Sequence, residues 1–200
     1  MNRCKVFALA CLCLSAAVVA MGSLRAQDAK VALAVGDAAP VFESVDDQGK
    51  AWKSADHIGK KIVVVYFYPA DDTGGCTKQA CGFRDDMKKL TDKGIEVVGV
   101  SGDSVKNHQF FKTKHKLNFT LLADETGTVA KKFGVPTKKG GTFKTKDSDG
   151  NDVELVTAIR AARWTFVIGA DGKILFKNQD VKAPEDSKKV LEVVEKAAAK

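Results

Sequence analysis

Apolar residues along this chain follow two patterns, short runs that are apolar at nearly every position and longer segments that are apolar at every third or fourth position. The run at 61–69, KIVVVYFYP, is apolar at odd and even positions and rich in β-branched and aromatic residues. It therefore predicts a strand that is buried on both faces of a sheet. Segment 77–94 has apolar residues at helical spacing from Ala80 to Leu90 and a stop at Gly94, which predicts a helix.

This alternation of strand and helix continues along the chain and is interrupted once. Segment 136–154 is rich in glycine and charge and has no apolar period, so we expect an exposed insertion there. The other predicted elements are strands at 95–103 and 119–124, helices at 104–117, 126–134 and 183–200, and a hairpin at 162–178. This order predicts an α/β, thioredoxin-like fold with a central mixed sheet flanked by helices.

The N-terminal segment has a different composition from the rest. Arg3 and Lys5 precede an apolar run at 6–21 and then small residues, which is the pattern of a secretory signal peptide over about residues 1–26. A retained membrane anchor is the alternative, but roughly 16 apolar residues are few for a span. We therefore expect a single domain at 27–200, exported to a periplasm or another extracytoplasmic space, with no stable membrane association after cleavage.

Removal of this segment changes both the charge and the cysteine count. The formal net charge falls from +7 to +4, because the segment carries three cations and no acid. Such a mildly basic chain gives no reason to expect nucleic-acid binding. Of five cysteines, three lie in the segment, so the mature chain keeps Cys76 and Cys81.

Cys76 lies where a polar loop, which follows the strand at 61–69, meets the helix at 77–94. The start of a helix presents unpaired backbone N–H groups and the positive end of the helix dipole. These groups favour a thiolate, which is the nucleophilic form of cysteine. A buried structural cysteine is the alternative, and the polar loop beside Cys76 argues against it.

The spacing of Cys76 and Cys81 argues against an ordinary structural disulfide. Residues five apart in a helix are separated by about 7.5 Å of rise, which exceeds the usual Cα separation in a disulfide. The first turn must unwind before the two can join, and this suits a catalytic cycle. Zinc needs four ligands, and none of the three histidines, His57, His108 and His115, lies at ligand spacing from the pair. We therefore expect neither a metal nor another cofactor.

The sequence around these cysteines resembles a known active-site motif. Segment 68–81, YPADDTGGCTKQAC, resembles the P-x-x-x-T-x-x-C motif of peroxiredoxins, with Pro69, Thr73 and Cys76 at the fixed positions. The second cysteine makes the chain similar to the bacterioferritin comigratory, or Q-type, branch of that family. Later segments resemble the same branch in the same order, so that the likeness spans 36 to about 195.

The resemblance implies a thiol peroxidase that reduces hydrogen peroxide and organic hydroperoxides. In that family a peroxidatic cysteine forms a sulfenic acid, a resolving cysteine converts it to an intramolecular disulfide, and a thioredoxin-like dithiol reduces the disulfide. The motif ARWTFVI places the catalytic arginine at Arg163, with Arg160 as a competitor. The residues implied are Cys76, Cys81, Thr73 and Arg163 for catalysis, with Pro69 and Gly75 for peroxide binding.

Two other functions are open on the same fold. A thiol–disulfide oxidoreductase is disfavoured because the chain has no C-x-x-C pair in its mature part. A copper-binding assembly factor would use two cysteines and a later histidine, but no histidine follows His115. The Q-type resemblance is compatible with a monomer. The chain departs from that branch at Gly74, where proline is common, and in the length of the segment between Val135 and Arg163.

Overall fold

The computed structural model describes residues 32–198, and the expected signal peptide at 1–26 lies outside the described residues. The strands are β1 (Glu43–Asp46), β2 (Ala51–Lys53), β3 (Ile62–Phe67), β4 (Ile95–Ser101), β5 (Thr120–Ala123), β6 (Thr137–Lys146), β7 (Asp152–Ala161), β8 (Trp164–Ile168) and β9 (Ile174–Asn178). The helices are α1 (Gly74–Asp92), α2 (Val105–His115), α3 (Thr128–Lys132) and α4 (Asp186–Ala198), with short 3-10 turns at Ser54–Asp56 and Ala183–Glu185. Within the described residues, no helix is both long and apolar enough to span a membrane.

Seven of the strands form one mixed sheet in the order β2-β1-β5-β4-β3-β8-β9. β3, β4 and β5 run parallel, while β3 and β8 pair antiparallel. Strand β3 lies inside the sheet, since Val64 is paired with Val97 on one side and with Val167 on the other. The thioredoxin-like fold with a central mixed sheet is thereby confirmed.

The two faces of β3 explain why the strand is apolar at every position. Val64 and Tyr66 pack in the same hydrophobic cluster as Phe83 of α1 and Val190 of α4. The intervening residues Val63, Val65 and Phe67 belong to a second cluster, on the opposite face, that includes Val129, Ala130 and Phe133. Helices therefore cover both faces of the sheet interior. The loop that leads to Cys76 begins directly at the end of this buried strand.

Helix α1 begins three residues earlier than the apolar spacing predicts, at Gly74 instead of residue 77. Apolar periodicity cannot detect this extra turn, because its residues Gly74 and Gly75 have no side chains to pack. Thr73 is the N-cap residue, with φ −77° and ψ 149°, but its side chain makes no capping hydrogen bond. Cys76 therefore lies inside the first turn of the helix and Cys81 farther along the same helix.

The segment at 136–154, which the sequence predicts to be an exposed insertion, is largely exposed, and most of it forms strands of the antiparallel pair β6 and β7. The pairing runs from Thr137 opposite Ala161 to Lys146 opposite Asp152. One face of the pair is turned inward, where Leu155 and Thr157 are buried. Glycines and lysines in β6 hide the period of two that marks a strand. The segment is a two-stranded arm that returns to the body of the domain.

Candidate active site

Cys76 lies shortly after the end of β3, a strand in the interior of the sheet. β3 ends at Phe67, a loop follows from Tyr68 to Thr73, and α1 then places the cysteine in its first turn. The residue is 1 % exposed and packs in the cluster that contains Tyr66 and Tyr68. Both Cys76 and Cys81 are free thiols. The sulfur of Cys76 thus lies at the rim of the core, where contacts from the protein replace most of its contact with water.

Arg163 lies between β7 and β8 and its guanidinium group contacts the Cys76 sulfur. Nη2 donates a hydrogen bond to Sγ at 3.2 Å, and Nη1 donates to Oε1 of Gln79. Gly75 makes the approach possible, because a Cβ atom at that position would lie 3.3 Å from Nη2 of Arg163. A charge-assisted hydrogen bond of this kind stabilises an anionic sulfur more than a neutral thiol.

Arg160, the competing arginine, lies on β7 opposite Lys138 of β6. Its Nε atom is buried and has no hydrogen-bond partner among the described residues. Its guanidinium group lies near Gly141 of the two-stranded arm, where Nη2 would be 3.6 Å from a Cβ atom built on that glycine. The structure therefore brings Arg163, and not Arg160, against the sulfur.

Thr73 and Pro69 border the same loop. The Thr73 hydroxyl donates to the carbonyl oxygen of Ala70 at 3.0 Å, so that its own oxygen remains available as an acceptor. Pro69 is half-buried and follows directly on the buried Tyr68. Gly75 is exposed beside the buried Cys76. All six residues implied by the motif thus belong to α1, the loop before it, or the approach to β8.

Two aspartates inside the motif, which sequence reasoning left unassigned, anchor the loop. Asp71 accepts hydrogen bonds from the Tyr68 hydroxyl at 2.7 Å and from Nδ1 of His108 at 2.8 Å. Its backbone N–H donates to Asp103 at 2.9 Å. Burial disfavours the charged form of His108, but the carboxylates of Asp71 and Asp103 outweigh it and raise the pKa of His108. Asp71 therefore fixes the loop to α2 through His108 and to Asp103, which follows β4.

Asp72 ties the loop to the two-stranded arm. It has a left-handed backbone with φ 56°, which is uncommon for a residue other than glycine. Its carboxylate accepts from Nζ of Lys114 at 2.6 Å, from Nε2 of His115 at 2.5 Å and from the hydroxyl of Thr145 at 2.5 Å. Neither aspartate could be singled out from sequence, because, apart from Tyr68, their partners come from distant segments.

Cys81 is in a different environment, half-buried on α1. Burial raises the pKa of its thiol, Arg84 opposes this, and Asp85 adds to it. The helix is continuous between Cys76 and Cys81, so the two residues lie more than one turn apart along it. No group of three or more histidine, cysteine, aspartate or glutamate side chains in residues 32–198 has an arrangement that could hold a metal ion.

Comparisons with known proteins agree with this geometry. The model of the AhpC/TSA family matches residues 35–177. A putative peroxiredoxin bcp of Coxiella burnetii is 50 % identical over 109 residues, which are 54 % of this chain and 72 % of that protein. By contrast, the chain spans only 49 % to 60 % of the length of chloroplastic peroxiredoxin Q proteins such as those of rice and Sedum lineare.

Solved structures give the same result. Peroxidoxin BcpB of Mycobacterium tuberculosis superposes with a TM-score of 0.67 at 31 % identity, over 82 % of this chain and 98 % of that one. The bacterioferritin comigratory protein of Xanthomonas campestris superposes with a TM-score of 0.64 at 28 % identity, over 80 % of this chain and 92 % of that one.

Fold and site together define a thioredoxin-like protein with a buried cysteine centre. The chain belongs to the AhpC/TSA family, within its bcp and peroxiredoxin Q branch. Members of this group are peroxiredoxins, which are thiol peroxidases. The resemblance seen in the motif is thereby confirmed.

Proposed function

We propose that this chain is a thiol peroxidase in which Cys76 attacks the peroxide and Cys81 resolves the product. The observation that carries the proposal is the hydrogen bond from Arg163 to the buried Cys76 sulfur, 3.2 Å long, in the first turn of a helix. Nucleophilic attack requires a stabilised thiolate and donors beside the oxygen on which charge develops. Arg163 and the backbone N–H groups of the first turn supply both.

The first step is attack by the Cys76 thiolate on one peroxide oxygen. A sulfur–oxygen bond forms as the oxygen–oxygen bond breaks, and the other oxygen leaves as hydroxide or alkoxide and is then protonated. Arg163 stabilises the thiolate before the attack and the leaving oxygen during it. The Thr73 oxygen accepts a hydrogen bond from the peroxide hydroxyl, and Pro69 limits access of water. The product is a sulfenic acid on Cys76.

The second step is condensation of the sulfenic acid with the Cys81 thiol, which releases water and forms a disulfide. This step requires the first turn of α1 to unwind, and two features of the turn lower its stability as a helix. Gly74 and Gly75 are the weakest helix formers apart from proline, each costing about 1 kcal/mol relative to alanine. Thr73, the N-cap residue, makes no capping hydrogen bond to the N–H groups of this turn, and its hydroxyl donates to Ala70.

A dithiol then reduces the disulfide by thiol exchange, which restores both thiols and oxidises the dithiol. A thioredoxin-like protein fits this role. The substrates include organic hydroperoxides as well as hydrogen peroxide, and the Xanthomonas relative, whose structure concerns alkyl peroxide reduction, supports this part of the proposal.

We also infer that the mature protein acts outside the cytoplasm, after removal of about residues 1–26. The support is the sequence alone, namely two cations followed by an apolar run and small residues. Expression of the full chain followed by fractionation and N-terminal mass analysis tests this inference. A cytoplasmic protein that retains its first 26 residues contradicts it.

The catalytic cycle is tested by mixing the reduced protein with one equivalent of hydrogen peroxide and following free thiols and intact mass. We expect fast loss of both thiols and a mass decrease of two hydrogens. Cys76→Ser should abolish the reaction, whereas Cys81→Ser should stop at a sulfenic or over-oxidised Cys76. Oxidation no faster than that of free cysteine overturns the proposal, and stoichiometric binding of Cu(I) to the reduced protein would then support the copper alternative.

A further inference from the structure

A line of hydrogen bonds leads from the Cys76 sulfur to a carboxyl group on another helix. Arg163 donates from Nη2 to Sγ of Cys76 and from Nη1 to Oε1 of Gln79. The other end of the Gln79 amide, Nε2, donates to Oδ2 of Asp186 at 2.7 Å. Asp186 is the first residue of α4, more than a hundred positions from Gln79 in sequence. The line therefore joins three separate parts of the chain.

The middle member of this line has two chemically different ends of nearly the same shape. A glutamine amide accepts at its oxygen and donates at its nitrogen, whereas a guanidinium group only donates. Gln79 therefore holds Arg163 only when its amide oxygen faces the guanidinium group. If the amide turned over, two sets of donors would face each other and the hydrogen bond to Arg163 would be lost.

Asp186 decides which end of the amide faces Arg163. Its Oδ2 atom also accepts from the hydroxyl of Thr165, at 2.7 Å, which fixes the carboxyl group on β8. Gln79 is 0 % exposed and Asp186 is 2 % exposed, so little water is present to satisfy a turned amide. An unsatisfied buried polar group is costly, and the arrangement with oxygen toward Arg163 is strongly favoured.

Retaining an acid at this position is itself unfavourable for the fold. Its second oxygen, Oδ1, is buried and has no hydrogen-bond partner among the described residues. Burial raises the pKa of Asp186, although Thr165, Gln79 and Arg163 act in the opposite direction. A cost of this kind is typical of groups that serve a site. It supports a role for Asp186 beyond packing.

We propose that Asp186 is a positioning residue for the peroxidase reaction, which orients the Gln79 amide so that its oxygen holds Arg163 against the Cys76 sulfur. Asp186 acts through two other side chains and touches neither the sulfur nor the peroxide. The inference rests on the proposed function, because it assigns a part of the apparatus that activates Cys76.

The test uses the fact that glutamate, unlike glutamine, has two identical ends. A carboxylate at position 79 accepts from Arg163 whichever way it turns, so it needs no orienting partner. We therefore compare Asp186→Ala in two backgrounds, the natural chain and Gln79→Glu, and measure the second-order rate of the reduced protein with hydrogen peroxide by stopped flow. Urea unfolding of each variant reports on the fold.

In the natural chain Asp186→Ala should slow the reaction by about tenfold, the equivalent of one hydrogen bond to a charged group. In the Gln79→Glu background the same change should slow the reaction by less than about twofold. It could even increase the rate, because Asp186→Ala removes a carboxylate that faces the carboxylate of Glu at position 79. Asp186→Asn, which keeps an acceptor oxygen and the shape of the side chain, should stay within about twofold of the natural chain.

An equal loss from Asp186→Ala in both backgrounds assigns Asp186 a merely structural role and overturns the inference. No loss in the natural chain also overturns it, as does a loss from Asp186→Asn as large as that from Asp186→Ala. These outcomes are distinct from failure of the proposed function. In that case the unaltered protein itself would react with peroxide no faster than free cysteine.

Discussion

Cys76 and Cys81 lie five positions apart in one helix, yet their surroundings differ in origin. Cys76 is buried in the hydrophobic cluster at the end of β3 and accepts a hydrogen bond from Arg163, which is 87 positions away in sequence. Cys81 is half-buried, and the charged groups that act on it, Arg84 and Asp85, belong to its own helix. The surroundings of Cys76 are therefore set by the tertiary fold, and the charges that act on Cys81 are set by its local sequence.

This difference fits the order of the two chemical steps. The first cysteine has to react in the folded protein, so the groups that activate it must already be in place. The second reacts only after the helix turn between them has opened, and contacts built around it in the folded state would be lost at that moment. A neutral thiol on a half-buried helix face is therefore sufficient for the second step.

The largest expected effect comes from removing the charged partner of Cys76. Arg163→Ala should slow the reaction of the reduced protein with peroxide by about 10²- to 10³-fold, as removal of a donor at a developing charge commonly does. Alkylation of Cys81 should be unaffected. Stopped-flow kinetics and peptide mass analysis measure the two rates. Arg160→Ala is the matched control and should stay within about threefold; an equal loss in both variants would contradict the assignment of Arg163.

The second prediction concerns pH and Cys81. Because burial raises the pKa of its thiol above the ordinary value of 9.0, the reactive thiolate remains scarce at neutral pH. Below that pKa its fraction grows about tenfold per pH unit. In the Cys76→Ser variant, alkylation of Cys81 by iodoacetamide should therefore keep accelerating beyond pH 9.0. A plateau below this pH would show that Cys81 is activated after all.

The third prediction separates the two steps through the glycines of the first turn. A Cβ atom on Gly74 would meet nothing within 4 Å, so Gly74→Ala should stabilise the turn by up to about 1 kcal/mol. Disulfide formation should then slow by about fivefold, the equivalent of that energy, while sulfenic acid formation keeps its rate. Rapid quenching followed by mass analysis resolves both products.

Gly75→Ala is the matched contrast to Gly74→Ala. Its Cβ atom would lie 3.3 Å from Nη2 of Arg163 and should disturb the guanidinium group. This variant should therefore slow sulfenic acid formation, the step that Gly74→Ala leaves unchanged. If both glycine variants slowed the same step, the separation of the two cysteines into different roles would need revision.

The smallest effect is expected from the contact between the two-stranded arm and the loop before Cys76, in which Thr145 donates to Asp72. Burial alone would raise the pKa of Asp72, but hydrogen bonds from Lys114, Thr145 and His115 lower it below the ordinary 3.8. Its stabilising contribution is thus present above that value and is lost as the pH falls through the lowered pKa.

Thr145→Val removes one of these donors and should reduce the free energy of unfolding by about 1 kcal/mol. The loss of stability in acid should be smaller and should end at a higher pH, because the pKa of Asp72 moves back toward its ordinary value. The peroxide reaction should slow by no more than about threefold. Urea unfolding between pH 3 and pH 7 measures the first two effects, and an unchanged pH dependence would show that the arm does not support the loop.

Local sequence patterns predicted the elements whose signals lie close together in the chain. The run at 61–69 is apolar at odd and even positions and rich in β-branched residues, as a strand covered on both faces requires. The spacing from Ala80 to Leu90 defined the body of α1, and the motif from Pro69 to Cys76 pointed to the cysteine chemistry before any contact was known. Each of these signals lies within about twenty consecutive residues.

Tertiary structure alone decided which distant side chains complete the site. The roles of Asp72 and Asp186 depend on partners from other helices and from the arm. The sequence does not distinguish an aspartate that binds such partners from one that faces solvent. The arm itself was missed because its strands are stabilised by pairing with each other and by a few inward residues such as Leu155. Local patterns predict which face of an element is buried, but the partner across that face is chosen only when the whole chain packs.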